Sequence, residues 1–313
     1  MAVTDKVQTN KLNIRAAAYS VTVSSVLFTI KIIIGVSTNS MAIIASALDS
    51  AFDFISSSVN FFAIRHAQKP ADHQHRFGHG KAEALAGFLQ SIFIFSSGVY
   101  LIYKSLQRFF APAEIINIDT GIYVMFISIA LTFGLVSYQH WVQKKSKSMV
   151  IAADRLHYVS DLLSNLAVII SLLLGKFFSF YQLDVVAALG IAIFIIKGSF
   201  NIFKQSFDIL MDRDISDKYR EDIKTIIESQ SSDIIGYHDL RSRSAGDIDF
   251  LELHLELPSH LKVIDSHDII EDIMFKLKKI HPNVEIIIHT DPAEVDADSG
   301  KIKLFDREKP RFY

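Results

Sequence analysis

Cysteine is absent from this chain of 313 residues, and that absence removes disulfide frameworks, thiolate metal centres and cysteine nucleophiles together. Strong metal ligation is left to histidine and carboxylate. Charge is scarce as well: 21% of residues are charged against 50% hydrophobic, and the mean hydropathy is +0.28. This is too apolar for an ordinary soluble domain. A formal net charge of −2 gives no global basic field, which argues against nucleic acid as a partner. The first dozen residues are polar and hold no short apolar core followed by a small-residue cleavage site, so no cleaved signal peptide is expected.

What is present is unevenly placed. Apolar stretches run at roughly 14–37, 41–64, 84–110, 118–141, 150–175 and 182–205, each long enough to cross about 30 Å of hydrocarbon. The connections 35–41, 111–119 and 174–184 carry a single basic residue, Lys176, whereas Lys6, Lys11, Arg15, Arg65, Lys69, Arg76, Lys81, Lys144, Lys145, Lys147 and Lys204 fall on the other side. The positive-inside rule then places both termini in the cytoplasm. Ser56-Ser57-Ser58 and Gly190 suit close helix packing in a bundle.

After Asp212 the periodicity changes. A helix is expected over 216–230, strands over 234–243 and 247–257 around a turn at Gly246-Asp247, a helix over 263–280 and a strand over 284–289. The expected fold class is thus an α-helical membrane protein of six transmembrane helices with a C-terminal α+β domain in the order αββαβ. Residues 1–206 form the membrane domain, 207–292 the cytoplasmic domain, and 293–313, which lack periodic hydrophobicity, a tail without assigned structure.

Three groups of residues carry chemistry. Asp49 and Asp53 lie four apart in the second apolar stretch, as do His157 and Asp161 in the fifth, so each pair stacks on one helix face. An Asp at the bilayer centre costs roughly 2.5–3.5 kcal/mol on insertion scales, which marks such residues as an ion path. One imidazole and three carboxylates suit tetrahedral zinc but over-charge a divalent ion. The empty set is therefore expected to hold protons that metal expels, the linkage a metal/proton exchanger needs. Hydrogen-bonded glue between helices is the competing reading. In the loop after the second stretch, Asp72, His75 and His79 are dense enough to bind one ion, with Gly78 and Gly80 letting the chain fold back and His73 able to substitute for a neighbour. The third group is dispersed: His238 and His254 on hairpin strands, His267 at a helix start, and His289 with Asp291 at the end of the last strand.

The runs Ala47-Leu48-Asp49-Ser50-Ala51-Phe52-Asp53, Arg76-Phe77-Gly78-His79-Gly80-Lys81-Ala82-Glu83, His157-Tyr158-Val159-Ser160-Asp161 and His289-Thr290-Asp291-Pro292 together resemble the cation diffusion facilitator family, close to its bacterial zinc and ferrous-iron efflux members, across nearly the whole chain. The resemblance implies a six-span homodimer of the bacterial inner membrane with a ferredoxin-like cytoplasmic domain, exporting divalent metal in exchange for protons. It places the transport site on Asp49, Asp53, His157 and Asp161, the loop site on Asp72, His75 and His79, and the cytoplasmic dimer site on His238, His254, His267, His289 and Asp291. It also implies an ion pair of Lys81 with Asp212. The loop departs from the family pattern in its extra imidazole, His73. Because family members with a carboxylate in place of the fifth-span histidine resemble manganese carriers, His157 points to Zn²⁺, Cd²⁺ or Fe²⁺ as cargo, and zinc (or iron or cadmium) as the regulatory ion.

Two readings from other classes compete: a membrane-embedded metalloenzyme and a non-transporting metal sensor. The enzyme fares worse, because the chain has no His-Glu-x-x-His pattern and no spare acid placed as a general base.

Overall fold

The computed structural model describes residues 2–110, 119–178, 182–230, 233–295 and 302–304. The connections at 111–118 and 179–181 and most of the tail after Val295 lie outside the described residues. The chain divides into two compact units, Met1–Leu210 and Met211–Tyr313.

The first unit is six long helices: α1 (Ala2–Ser37), α2 (Met41–Ala67), α3 (Lys81–Phe110), α4 (Asp119–Ser146), α5 (Met149–Phe178) and α6 (Gln182–Leu210). Four contain described spans long and apolar enough to cross a membrane, at Gln8–Ser37, Lys81–Gln107, Tyr123–Ser146 and Val185–Leu210. The helices outrun the apolar stretches that betray them, because a helix continues through polar residues of good propensity once it leaves hydrocarbon.

Burial in this unit is inverted relative to a soluble bundle. Ser20, Ser24, Ser57, Asn60, Gln90, Gln139 and Asp154 are buried, while Leu48, Phe52, Phe62, Leu89, Tyr100, Phe133 and Ile193 are exposed. Large apolar side chains facing outward on several helices, with polar ones gathered inside, suit a lipid surround, where polar groups must find partners within the bundle. Helix α5 is the hub. Ile151 packs with Ala16, Ile64, Ala86 and Val142, Tyr158 with Val23, Leu27 and Leu135, and Ala153 with Ile94, Ile195 and Ile202. Close approach rests on Gly98 and Gly198: a Cβ added there would stand 2.8 Å from Ile196 Cγ1 and from Leu156 Cδ2 respectively. The expected packing glycine, Gly190, has no described atom within 4 Å of its Cβ direction.

The second unit runs α7 (Asp217–Glu228), β1 (Gly236–Ala245), β2 (Ile248–Pro258), α8 (Val263–Ile280), β3 (Val284–Val295) and β4 (Ile302–Leu304). The sheet order is β1-β2-β3-β4, antiparallel for β1/β2, parallel for β2/β3 and antiparallel for β3/β4. Ser216 caps α7, its side chain accepting from Tyr219 N, and Gly246 takes φ 72° in the β1–β2 turn. β3 runs past the expected end at residue 289, and β4 falls where the tail was expected to lack structure. Its Ile302↔Val295 and Leu304↔Ala293 pairs extend the sheet, a run too short to show periodicity in sequence.

Period-two alternation decides which side chains meet the helices. Leu251, Leu253, Leu255 and Leu257 of β2 form a core with Ile223, Ile226 and Ile227 of α7 and Ile273 and Leu277 of α8. The alternate residues His254 and Glu256 face away from that core. Leu253→Ala, at a fully buried position, is expected to cost about 2–5 kcal/mol, seen as a lowered unfolding midpoint of the full chain with hydrogen exchange accelerated in β2.

Candidate metal centres

The membrane unit brings together two helices' worth of ligands. His157 Nε2 lies 2.8 Å from Asp53 Oδ1 and 3.7 Å from Asp161 Oδ2, and Asp53, His157 and Asp161 form a set whose ligand atoms all lie within 4.8 Å of one another. The His157 side chain is only 12% exposed. Asp53 reaches the site because α2 and α5 carry stacked i, i+4 pairs that face each other. Asp49 stands one turn before Asp53 and lies outside the three-residue set. The sequence reasoning passed over Lys31, whose Nζ donates to Ser50 Oγ at 2.8 Å within electrostatic reach of Asp53, Asp161 and Asp49. Its signal was a lone lysine inside the first apolar stretch.

Two further polar ties join the same helices: Ser57 Oγ to Tyr158 Oη at 2.8 Å and Asn60 Nδ2 donating to Asp154 Oδ1 at 3.0 Å. Ser57 and Asn60 continue the Asp53 face of α2 by one and two turns, while Tyr158 and Asp154 flank His157 within one turn of α5, so further α2–α5 contacts extend away from the ligands. Asp154 too was visible in sequence, as a carboxylate three residues before His157.

In the loop, Asp72, His75 and His79 also gather within 4.8 Å. Asp72 Oδ1 accepts the backbone N–H groups of Gln74 at 2.9 Å and His75 at 2.7 Å, an Asx-type turn. The His75 bond, with that of Gln74, holds the Asp72 carboxyl below the usual carboxylate range despite some desolvation. The group is thus charged at neutral pH, and its favourable contribution is lost only as pH falls through that lowered value. Its other oxygen, Oδ2, lies 3.3 Å from His79 Nε2. Gly78 makes the fold-back possible at φ 80°, a conformation that side-chain-bearing residues rarely adopt. His73 is exposed and stands outside the set.

In the second unit the sheet register aligns His238↔His254 and His254↔His289 across three strands. One step along, Glu256↔Asp291 occupy the same face. A bulge between His238 and Arg241, with Asp239 at φ 50°, keeps His238 on that face while Arg241 pairs with Glu252. Asp291 is the hub: its Oδ2 lies 2.8 Å from His254 Nδ1 and 3.4 Å from His238 Nε2, and its Oδ1 3.4 Å from His289 Nε2. His238 Nδ1 hydrogen-bonds Glu256 Oε1 at 2.8 Å, an acid the sequence reasoning did not single out. His267 is not brought in: 62% exposed at the start of α8, it lies 3.9 Å from each of Asp268 and Glu271, and α8 packs on the opposite face of the sheet.

Residues 17–211 match the family model for the cation efflux transmembrane domain, and residues 215–293 that for the cation efflux protein cytoplasmic domain. The chain is 37% identical over 291 residues to Protein p34 of Rickettsia rickettsii, covering 92% of this chain and 96% of that one. It is likewise 37% identical over 283 residues to the cation-efflux pump FieF of Yersinia enterocolitica, covering 90% and 94% respectively. The metal-bound C-terminal domain of the CzcD transporter from Thermotoga maritima aligns with 24% of this chain and 87% of its own, at 25% identity and a TM-score of 0.23. With its transmembrane domain matched over residues 17–211 and relatives aligned along nearly their whole length, the chain belongs to the cation efflux, or cation diffusion facilitator, family of membrane transporters.

Proposed function

We propose that this protein is a divalent metal/proton antiporter exporting zinc, with cadmium and ferrous iron as further cargo, from the cytoplasm across a bacterial inner membrane. The carrying observation is the convergence of Asp53, His157 and Asp161 from two helices on one point inside a bundle whose outer surface is apolar. On this reading all six helices cross the membrane, both termini are cytoplasmic, residues 1–206 are the membrane domain and 207–292 the cytoplasmic domain, whose sheet continues into 293–313 through the end of β3 and β4. Asp49 swings in as the fourth ligand when metal arrives. One imidazole with carboxylates favours zinc-class ions and disfavours Mg²⁺, which wants an octahedral oxygen shell.

Metal entering from the cytoplasm displaces protons held by this set, and rocking of the helices about the fixed site exposes it outward, where returning protons release the metal. Asp154, a further carboxylate on α5, has both oxygens engaged by the amides of Asn60 and Gln139, which favours transport over hydrolysis.

The αββαβ unit is read as a ferredoxin-like dimerisation domain, in keeping with the cytoplasmic family model that it matches. His238, His254, His289 and Asp291 hold a regulatory metal on the open sheet face. His267, on the wrong side to reach its own chain's cluster, reaches that of a second copy. Metal there tightens the dimer when cytoplasmic metal is high. Sealed proteoliposomes test the transport reading: zinc movement coupled to opposite proton movement is expected, and zinc flux indifferent to a pH gradient would defeat it. Distances between spin labels on the two terminal domains test the sensor: zinc shortens them relative to chelator, and equal distributions would end that part of the proposal.

A further inference from the structure

The loop centre has a neighbour that neither its sequence spacing nor its three-residue set includes. His66 sits in the last turn of α2, thirteen residues before His79 in the chain. The fold-back brings the two rings to 4.8 Å between centroids, at 88°. The His75 ring also packs on His79, at 4.6 Å between centroids. His66 is within electrostatic reach of His79, His75 and Asp72 alike.

We propose that His66 is a fourth protein ligand of the loop centre, closing Asp72, His75 and His79 into a tetrahedral site of three imidazoles and one carboxylate for a zinc-class ion. The inference rests on the reading of that loop as a metal centre. Two observations carry it. The His79 side chain is only 6% exposed, and its Nδ1 is buried without a hydrogen-bond partner, an arrangement that buried polar atoms normally avoid. A site that employs His79 as a ligand accounts for the burial of such a polar ring. His66 is itself exposed, so its ring has room to turn about χ1 and χ2 toward an ion held by the other three.

The chemistry follows from ligand count. Three ligands leave a divalent ion with water in an open position, as in catalytic sites, whereas four close it, as in structural ones. A third imidazole also moves the set further from the all-oxygen shell that Mg²⁺ and Mn²⁺ prefer. The backbone around His66 is already ordered, its carbonyl accepting Lys69 N at 3.0 Å, so the added ligand requires only a side-chain rotation. Closure would staple the end of α2, the helix that bears Asp49 and Asp53, to the turn that opens α3 at Lys81. Along a helix axis, thirteen residues from Asp53 to His66 span about 20 Å, so this staple stands apart from the membrane ligands.

The test uses the full-length chain in detergent, with Asp53→Ala, His157→Ala, His254→Ala and Asp291→Ala removing the other two centres, and Zn²⁺ or Co²⁺ alone as probe. Four-coordinate visible bands from Co²⁺ and three imidazoles by zinc X-ray absorption are expected. His66→Gln should weaken zinc binding by at least the roughly 10–100-fold that loss of an outer-shell partner costs and lower the imidazole count in the zinc X-ray absorption spectrum from three to two. His66→Asp, which restores a ligand, should recover the affinity with two imidazoles. The proposal is overturned if His66→Gln leaves affinity and spectrum unchanged, or if His73→Gln causes the loss instead. If His79→Ala also binds zinc normally, the loop-centre reading beneath the proposal has failed. Loss with His79→Ala but not with His66→Gln leaves the centre standing with three ligands and removes His66 from it.

Discussion

Asp53→Ala and His157→Ala are each expected to abolish metal-driven proton movement in proteoliposomes, a drop of roughly 100-fold or more. Loss of an outer-shell partner alone costs about 10–100-fold in affinity or activity, and these two side chains form the 2.8 Å contact at the heart of the set. Neither change removes a core apolar group, and the helices that carry them are held by separate clusters around Ile151, Tyr158 and Ala153. The variants should therefore fold and insert, with wild-type melting behaviour in the absence of metal. His157→Asp gives the sharper test, because it keeps a ligand while replacing the only nitrogen donor of the set with oxygen. Zinc flux should fall and manganese flux should appear, since carboxylate sets suit the harder ion. Zinc flux surviving Asp53→Ala and His157→Ala together would make these side chains structural and exclude the proposed transport path.

Much of this was legible because hydrocarbon and sheet pleat both impose strict patterns. Apolar stretches located the six helices, and the i, i+4 pairs identified Asp53, His157 and Asp161 before any contact was known. Alternation along 247–257 placed His254 opposite the leucines, so its emergence on the open face of the sheet follows from period two alone. What escaped was non-local. Lys31 and Asp154 stand out as charges within apolar stretches, but their partners Ser50, Asn60 and Gln139 lie on other helices, and no spacing rule reports which faces of a bundle meet. His267 was grouped with the sheet histidines because composition cannot say that α8 covers the leucine face. Glu256 was overlooked because a glutamate on an alternating strand looks like solvent-facing charge until Asp291 and His238 are seen beside it. The bulge at Asp239 had the same effect on register: a strict alternation from Arg241 back to His238 would put the two on opposite faces, and the extra residue restores them to one.

The largest structural effect is expected at Asp154. It is 2% exposed, its Oδ1 accepts from Asn60 Nδ2 at 3.0 Å and its Oδ2 from Gln139 Nε2 at 2.6 Å. The same Gln139 nitrogen donates to Ser20 Oγ at 2.8 Å. One carboxylate thus ties α5 to α2 and α4, and through Gln139 to α1. Asp154→Ala removes the acceptor from the buried amides of Asn60 and Gln139, the latter keeping its bond to Ser20, and a buried amide left unsatisfied costs about 1–3 kcal/mol. A marked fall in melting temperature in detergent is the expected result. Zinc affinity of the membrane site should fall with it, although no ligand has been touched, because Asn60 lies two turns from Asp53 on α2 and Asp154 one turn from His157 on α5. Asp154→Asn keeps the shape and one acceptor while turning a donor toward an amide, so an intermediate loss is expected. Tyr158→Phe, which deletes the hydroxyl bonded to Ser57, should cost about 1 kcal/mol. If Asp154→Ala melted and bound zinc like the parent chain, the polar contacts between α2 and α5 would not be what holds the ligand faces together, and the packing of α5 against its apolar neighbours would have to account for it alone.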